Sequence, residues 1–287
     1  MTASNLQNCL ICESSDYNEI FSYGEPDQYE RSMGINSENY FRKWVQCTDC
    51  GFYYSIYSRH KGIINNLYTE SYRSLGSPWR TASLEDTFKR VVNLSEDESE
   101  NKQKIKWVKN NIELLKSHEI IKDKQPPYSF LDIGGGSGVF VYEFRDENWD
   151  PHVIDPSIDK TFFEERLKIK FIKSHYKPGL FNIRFDLISM IYLLEHLEDP
   201  ISMLKSAHQD MNKESLLYLE VPDALSFIKK PSDDDIFNSA HLWMFNPKSL
   251  EILLDKCGFE VLSLSRLRTK RSNYALMAIS SNKMEVG

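Results

Sequence analysis

"SFLDIGGGSGVFVYEF", residues 129–144, is the stretch that decides the fold. Strand-favouring apolar residues lead into Asp132, glycines occupy 134, 135, 136 and 138, and an apolar run resumes at Val139. A strand that stops at a loop nearly bare of side chains lets backbone approach a ligand. The helix start beyond it offers unsatisfied N–H groups. Spacing separates the possible ligands. A dinucleotide loop counted from Gly134 and Gly136 requires a third glycine at 139, where Val139 stands. A triphosphate loop requires Lys followed by Ser or Thr after the glycines, and neither follows here. What remains is an acid, Asp132, followed by Gly134, Gly136 and Gly138 at alternate positions, with Gly135 between.

Downstream, a rhythm of strand, loop and helix repeats. "SFLDIG", "DPHVID", "IKFIK", "FDLISMIYLL" and "SLLYLEV" are short apolar runs, separated by helix-compatible segments such as "SGVFVYEFRDE", "IDKTFFEERLK" and "DPISMLKSAHQDM". Continuous rather than alternating apolar strands predict a parallel sheet covered on both faces. "FEVLSLSRL" and "NYALMAISS" predict a closing pair of strands around the basic "RTKRS". Upstream, "LEDTFKRVVNL" and "NKQKIKWVKNNIELLKSHEII" carry apolar residues at helical spacing. The chain divides into a cysteine-bearing module over 1–57, a helical region over 58–126 and an α/β domain over 127–287. The predicted architecture is doubly wound α/β with an N-terminal appendage.

The loop resembles the first motif of class I S-adenosylmethionine-dependent methyltransferases, and further segments add to the resemblance. "HVIDPS" ends the second strand with Asp155 and Pro156, 17 positions after Gly138. "MIYLLEHLEDP" and "HLWMFNPKSLEILLDKCGFEV" are similar to later segments of that family, so that the likeness covers about residues 128–281. It implies a Rossmann-like seven-stranded methyltransferase sheet. It also implies a cofactor held by Asp132, Gly134, Gly135, Gly136 and Gly138, with Asp155 and Pro156 at the ribose and Met190, Ile191 and Tyr192 at the methionine end. Gly135 stands where many relatives carry Cys or Ala, and a loop position is expected to tolerate that difference.

Cys9-x-x-Cys12 and Cys47-x-x-Cys50 are two pairs that can each present two thiolates to one ion. A sulfur-only set points to a closed, structural zinc site; a redox pair is the rival, although one pair would suffice for it. Cys257, in "LLDKCGF", reads as a packed thiol. A zinc module ahead of this domain resembles bacterial methyltransferases acting on sugars and other small molecules of surface-glycan or antibiotic pathways. It also resembles a ribosomal RNA methyltransferase with different ligands.

Methyl transfer is an in-line displacement, so the protein supplies alignment and a route for the acceptor's proton. Four side chains are candidates beyond the carboxyl ends of the fourth and fifth strands: His241, Glu220, His196 and Tyr192. Each has a plainer alternative. His241 can cap or pack against the helix beginning near Pro247, His196 can be structural, Glu220 can bind a substrate hydroxyl, and Tyr192 can be a wall. "SDDDI" is expected to be a solvated lid.

The chain has 287 residues, 41% hydrophobic and 27% charged, with a net charge of -7. That balance argues against a general nucleic-acid binder and so favours the small-molecule branch of the resemblance, which implies a sugar or nucleotide-sugar acceptor. No apolar run reaches the ~18 residues of a membrane span, and no secretory signal is visible, so a cytoplasmic chain with reduced cysteines is expected. An RNA methyltransferase and a non-catalytic cofactor-binding scaffold remain alternatives.

Overall fold

The computed structural model describes residues 8–59, 83–122, 124–158, 160–270 and 272–283. Residues 60–82, within the expected helical region, lie outside them. Strands β1 (Tyr17–Tyr23), β2 (Arg42–Cys47) and β3 (Tyr53–Tyr57) precede the larger sheet. That sheet comprises β4 (Tyr128–Ile133), β5 (Trp149–Ile154), β6 (Lys170–Ile172), β7 (Phe185–Ile191), β8 (Met211–Pro222), β10 (Phe259–Arg268) and β11 (Tyr274–Asn282), and a short β9 (Trp243–Met244) lies between β8 and β10. Its spatial order is β10-β11-β8-β7-β4-β5-β6. β4 to β8 run parallel, and the closing hairpin β10–β11 adds to β8 antiparallel. This is the seven-stranded α/β sheet that the apolar runs predict.

Side-chain alternation sorts each central strand between two cores. Leu131, Ile133, Ile188, Met190, Leu217 and Leu219 belong to one buried cluster, with Leu204, Leu250 and Leu253 from the helices Pro200–Gln209 and Pro247–Lys256. Phe130, Leu187, Leu216 and Tyr218 belong to the other, with Ile105, Val108 and Ile112 from the helix Glu100–Ser117 and Phe140 from Val139–Tyr142. Both helices of the first layer start with proline behind a capping side chain: Asp199 accepts from Ser202 N–H, and Asn246 forms a capping box with Ser249. Asn246, not His241, therefore caps the helix at Pro247.

Two helices differ from expectation. "SGVFVYEFRDE" is helical only over Val139–Tyr142, and "IDKTFFEERLK" forms a π turn, Phe162–Leu167, closed by Lys168 in the left-handed region. Beyond each, the chain must turn at once to enter the adjacent strand.

The N-terminal region is built into the rest. β3 pairs with β9, giving a four-stranded sheet β1-β2-β3-β9 that joins the two ends of the chain. Cys9, Ile11, Val45 and Tyr54 share one core with Leu242, Trp243 and Leu250. In "SDDDI", Ser232, Asp233 and Asp235 are exposed as expected, while Ile236 and the following Phe237 are buried with Trp44, and the Phe237 carbonyl accepts from Arg42 Nη1 (2.7 Å) and Trp44 Nε1 (3.3 Å).

Candidate active site

Strand register sets the floor of the site. Asp132 pairs with Ser189, which is level with Tyr218, and Glu220 pairs with Ile191 two residues further on, so that Asp132, Ser189 and Glu220 share one face toward the carboxyl ends of β4, β7 and β8. All three are buried, on the face that carries Phe130, Leu187 and Tyr218. Ser189 Oγ donates to Asp132 Oδ1 at 2.5 Å. Burial holds the Asp132 carboxyl up at about 7, and Asp155 adds to the effect while the Ser189 hydrogen bond opposes it. The opposite face takes Met190. Its side chain is wholly buried among apolar residues of the first cluster, which corrects the expectation that it lines the methionine end. Ile191 and Tyr192 do line a cavity.

The glycines are fixed by two constraints. Gly134, Gly136 and Gly138 have φ of 74°, 56° and 73°. Gly135 is held by contact: a Cβ there would meet Val153 Cγ1 at 2.6 Å and Asp132 Oδ2 at 3.1 Å. This chain therefore needs glycine at 135, because the loop folds back onto β5 and Asp132. Gly138 is closed in the same way, its Cβ position lying 2.8 Å from Phe163. Asp155 clasps the loop from the next strand end. Its Oδ2 accepts from Gly136 N–H (3.0 Å), and its Oδ1 accepts from the Ser157 N–H and hydroxyl (2.8 and 2.6 Å).

Two cavities meet over this loop, sharing Gly134 and Tyr192. The smaller, about 280 Å³, is walled by Asp155, Pro156, Ser157, His175, Tyr176 and His196. The larger, about 630 Å³, has Asp132, Gly135, Gly136, Ile191 and Glu220 on its floor side and Arg90, Asn101, Lys104 and Lys270 opposite. Tyr192 stands between them at φ 50°, a backbone conformation that non-glycine residues seldom adopt and that recurs at functional sites. Tyr192 is 37% exposed as a whole, yet desolvation around its hydroxyl, with Glu220 beside it, raises its pKa above the ordinary range. Glu220 is fully buried and paired with Lys104 Nζ at 2.5 Å. A bare loop, a buried acid and two confluent cavities fit a nucleoside carrying a cationic amino-acid arm. Lys104, Asn101, Ser157 and His175 escaped the sequence reading, whereas Lys270 belongs to the basic turn that it picked out. Of those four, Lys104 carried a signal there, as the polar member of the i, i+4 row it forms with Val108 and Ile112.

The chain brings together His196 and His241, 4.7 Å between ring centroids, with Glu195 beside them. His196 is buried and His241 partly buried. The four cysteines of the two pairs also converge. Cys9 and Cys50 sulfurs lie 3.4 Å apart, as do those of Cys12 and Cys47, and all four thiols are free of disulfides. Cys257 is buried, as expected.

Fold and site define a class of enzyme, the S-adenosylmethionine-dependent methyltransferases. Residues 99–264 match the family model of a methyltransferase domain, and the chain belongs to that family. Among characterised proteins it is similar to the tRNA U34 carboxymethyltransferase of Sulfurimonas denitrificans, 28% identical over 155 residues, 50% of this chain and 46% of that one. The Campylobacter lari enzyme of the same name is 30% identical over 98 residues, 31% of this chain and 33% of the relative. The chain thus matches less than half the length of either. Among solved structures, a Burkholderia thailandensis 1,6-didemethyltoxoflavin-N1-methyltransferase with bound S-adenosylhomocysteine is 16% identical, with a TM-score of 0.49 over 73% of this chain and 92% of that one. An S-adenosylmethionine-dependent methyltransferase from Clostridium acetobutylicum is 12% identical, also at 0.49, over 70% of this chain and 100% of that one. No helix among the described residues is long and apolar enough to cross a membrane.

Proposed function

We propose that this protein transfers the methyl group of S-adenosylmethionine to a small hydroxylated acceptor, a sugar or nucleotide-linked sugar. The observation that carries the reading is the pair of cavities meeting at Gly134 and Tyr192. In this reading the adenosine occupies the smaller, with Asp155 accepting ribose hydroxyls and Pro156 beside the base. The methionine arm runs over the glycine loop, and its ammonium group meets Asp132 as a charge-assisted hydrogen bond. The acceptor fills the rest of the larger cavity, under Asn101 and Lys104. Arg90 and Lys270 there suit the phosphates of a nucleotide-linked sugar. Enclosure by the helix Glu100–Ser117, in a chain of net charge -7, favours a small molecule over a polyanion.

Tyr192, kept protonated, acts as a hydrogen-bond donor to the acceptor, while His241 and Glu220 are the candidates to receive its proton. Glu220 lines the larger cavity but is restrained by Lys104, and His241 stands against His196, which lines the smaller one. The four thiolates hold a structural zinc. Sulfurs at about 2.3 Å from one ion lie roughly 3.7 Å apart, near the separations of 3.4 Å that the pairs show.

Calorimetry with S-adenosylmethionine and with NAD tests the cofactor, and binding of NAD alone overturns the reading. Transfer of labelled methyl groups to a panel of nucleotide-sugars and to bulk tRNA tests the acceptor. The tRNA-modifying relatives support a second reading in which the acceptor is RNA. Incorporation into tRNA only, with salt-sensitive binding, would establish that one. Cofactor binding without transfer to any acceptor would leave the scaffold reading.

A further inference from the structure

Glu195 is a costly residue in an unexplained place. It is completely buried, and neither carboxylate oxygen has a hydrogen-bond partner from another residue. A buried carboxylate without donors is strongly unfavourable, and proteins offset it with a proton, a cationic side chain or a metal. No lysine or arginine pairs with it among the described residues; the nearest cationic candidate is His196, whose Nε2 stands 3.8 Å from Glu195 Oε1.

The two histidines are set in matching ways. His196 Nδ1 lies 2.9 Å from the Ala240 carbonyl and His241 Nδ1 lies 2.6 Å from the Ile236 carbonyl. Because a carbonyl only accepts, each ring carries its proton on Nδ1 and directs the lone pair of Nε2 elsewhere. A backbone carbonyl behind one ring nitrogen is the usual support of a metal-ligating histidine. The donor atoms of Glu195, His196 and His241 all lie within 4.8 Å of one another. Donors about 2.1 Å from one ion sit up to roughly 4.2 Å apart, so that a small inward movement of the side chains closes the set. The backbone already binds the two segments together, for Leu242 N–H donates to the Glu195 carbonyl at 2.7 Å.

We propose that Glu195, His196 and His241 form a binding site for a divalent first-row transition-metal ion, separate from the four cysteines. Two imidazoles and one carboxylate suit Mn²⁺, Fe²⁺ or Zn²⁺, whereas Mg²⁺ prefers an all-oxygen shell. Three protein ligands leave coordination positions open. His196 also lines the smaller cavity, so the ion lies at the wall of the cofactor site. An acceptor oxygen entering an open position would become more acidic there, and the ion would then replace an imidazole base in the proton's departure. That role rests on the hydroxylated acceptor proposed above; the ion itself does not.

The test uses the full chain loaded with a single equivalent of zinc, which four thiolates take in preference to two imidazoles and a carboxylate, and Mn²⁺ as the probe, because hard Mn²⁺ competes poorly for thiolates. Free Mn²⁺ counted by its six-line EPR signal should show about one ion bound per chain, and pulsed EPR should show coupling to imidazole nitrogen. Glu195→Gln and His241→Gln should each weaken Mn²⁺ binding by about tenfold or more, with S-adenosylmethionine affinity and the unfolding temperature close to those of the parent. If Glu195→Gln fails to fold, the partly exposed His241→Gln carries the test. Absence of Mn²⁺ binding to the parent, absence of nitrogen coupling, or equal binding by a folded variant overturns the site. Each of these results can arise whether or not a sugar is the acceptor, so the two proposals fail separately.

Discussion

Asp27 and Ser239 lie 212 residues apart in sequence and share two hydrogen bonds, from the Ser239 N–H at 2.6 Å and its hydroxyl at 2.7 Å. Arg59, itself paired with Glu30 at 2.7 Å, donates to the Ser239 carbonyl at 2.8 Å. The N-terminal region therefore grips the backbone two residues before His241. Asp27→Ala removes an acceptor from a partly buried network, which costs about 1–3 kcal/mol of stability. Steady-state kinetics should show kcat falling about tenfold or more as His241 loses its position. Calorimetry should show S-adenosylmethionine affinity nearly unchanged, because Asp132 and the glycine loop stand elsewhere.

Metal removal should act through the same connection. Elemental analysis is expected to find about one zinc per chain on the cysteines, and Cys47→Ser should abolish it. Binding energy at such a site is folding energy, so the unfolding temperature should fall by about 10 °C or more. A chelator should reproduce the effect on the parent protein.

Cofactor affinity should depend on pH through Asp132. With its carboxyl raised to about 7, the free protein holds this residue largely protonated in mild acid. The ammonium group of the cofactor prefers the carboxylate, so binding releases a proton below pH 7. Affinity should rise with pH through about 7 and then level off. The sign for stability is opposite. A folded pKa above the ordinary 3.8 gives a contribution that is full below 3.8 and lost as pH rises through about 7. Asp132→Asn should remove the pH dependence and weaken binding by about 1.5–3 kcal/mol, roughly 10- to 150-fold, in calorimetry across pH 5.5–8.5.

Gly135→Ala should destabilise the protein by about 1–3 kcal/mol and weaken cofactor binding, since its methyl group runs into Val153. Val153→Ala removes that obstacle. In a double-mutant cycle of thermal unfolding, the pair should be less destabilised than the sum of the two single changes.

Lys104→Met strands the Glu220 carboxylate in the floor of the larger cavity. Removing one partner of a buried pair costs about 3–5 kcal/mol. Adding Glu220→Gln should recover most of that loss in denaturant unfolding without restoring acceptor turnover.

The sequence carried the central sheet because continuous apolar runs and bare turns are local features. "SFLDIGGGSG" and "HVIDPS" could be read as a loop and its partner strand without knowing what packs on them. The four clustered cysteines were legible for the same reason, as two short-range pairs. What the sequence could not carry was the face on which each residue emerges. Met190 and Ile191 are adjacent, yet strand alternation buries Met190 in one core and turns Ile191 toward the cavity of the other.

The need for glycine at 135 was not legible, because the contacts that forbid a side chain come from β5 and from Asp132, not from its neighbours in the loop. Lys104 and Lys270 reach the cavity from segments far from the glycine motif. The cluster of Glu195, His196 and His241 exists only because Leu242 pairs with Glu195 across a long connection and β9 joins the N-terminal sheet. Local pattern determined the strands, the cofactor loop and the cysteine pairs. Tertiary structure alone decided which charges were buried together, because burial and pairing depend on segments that the chain brings into contact only when folded.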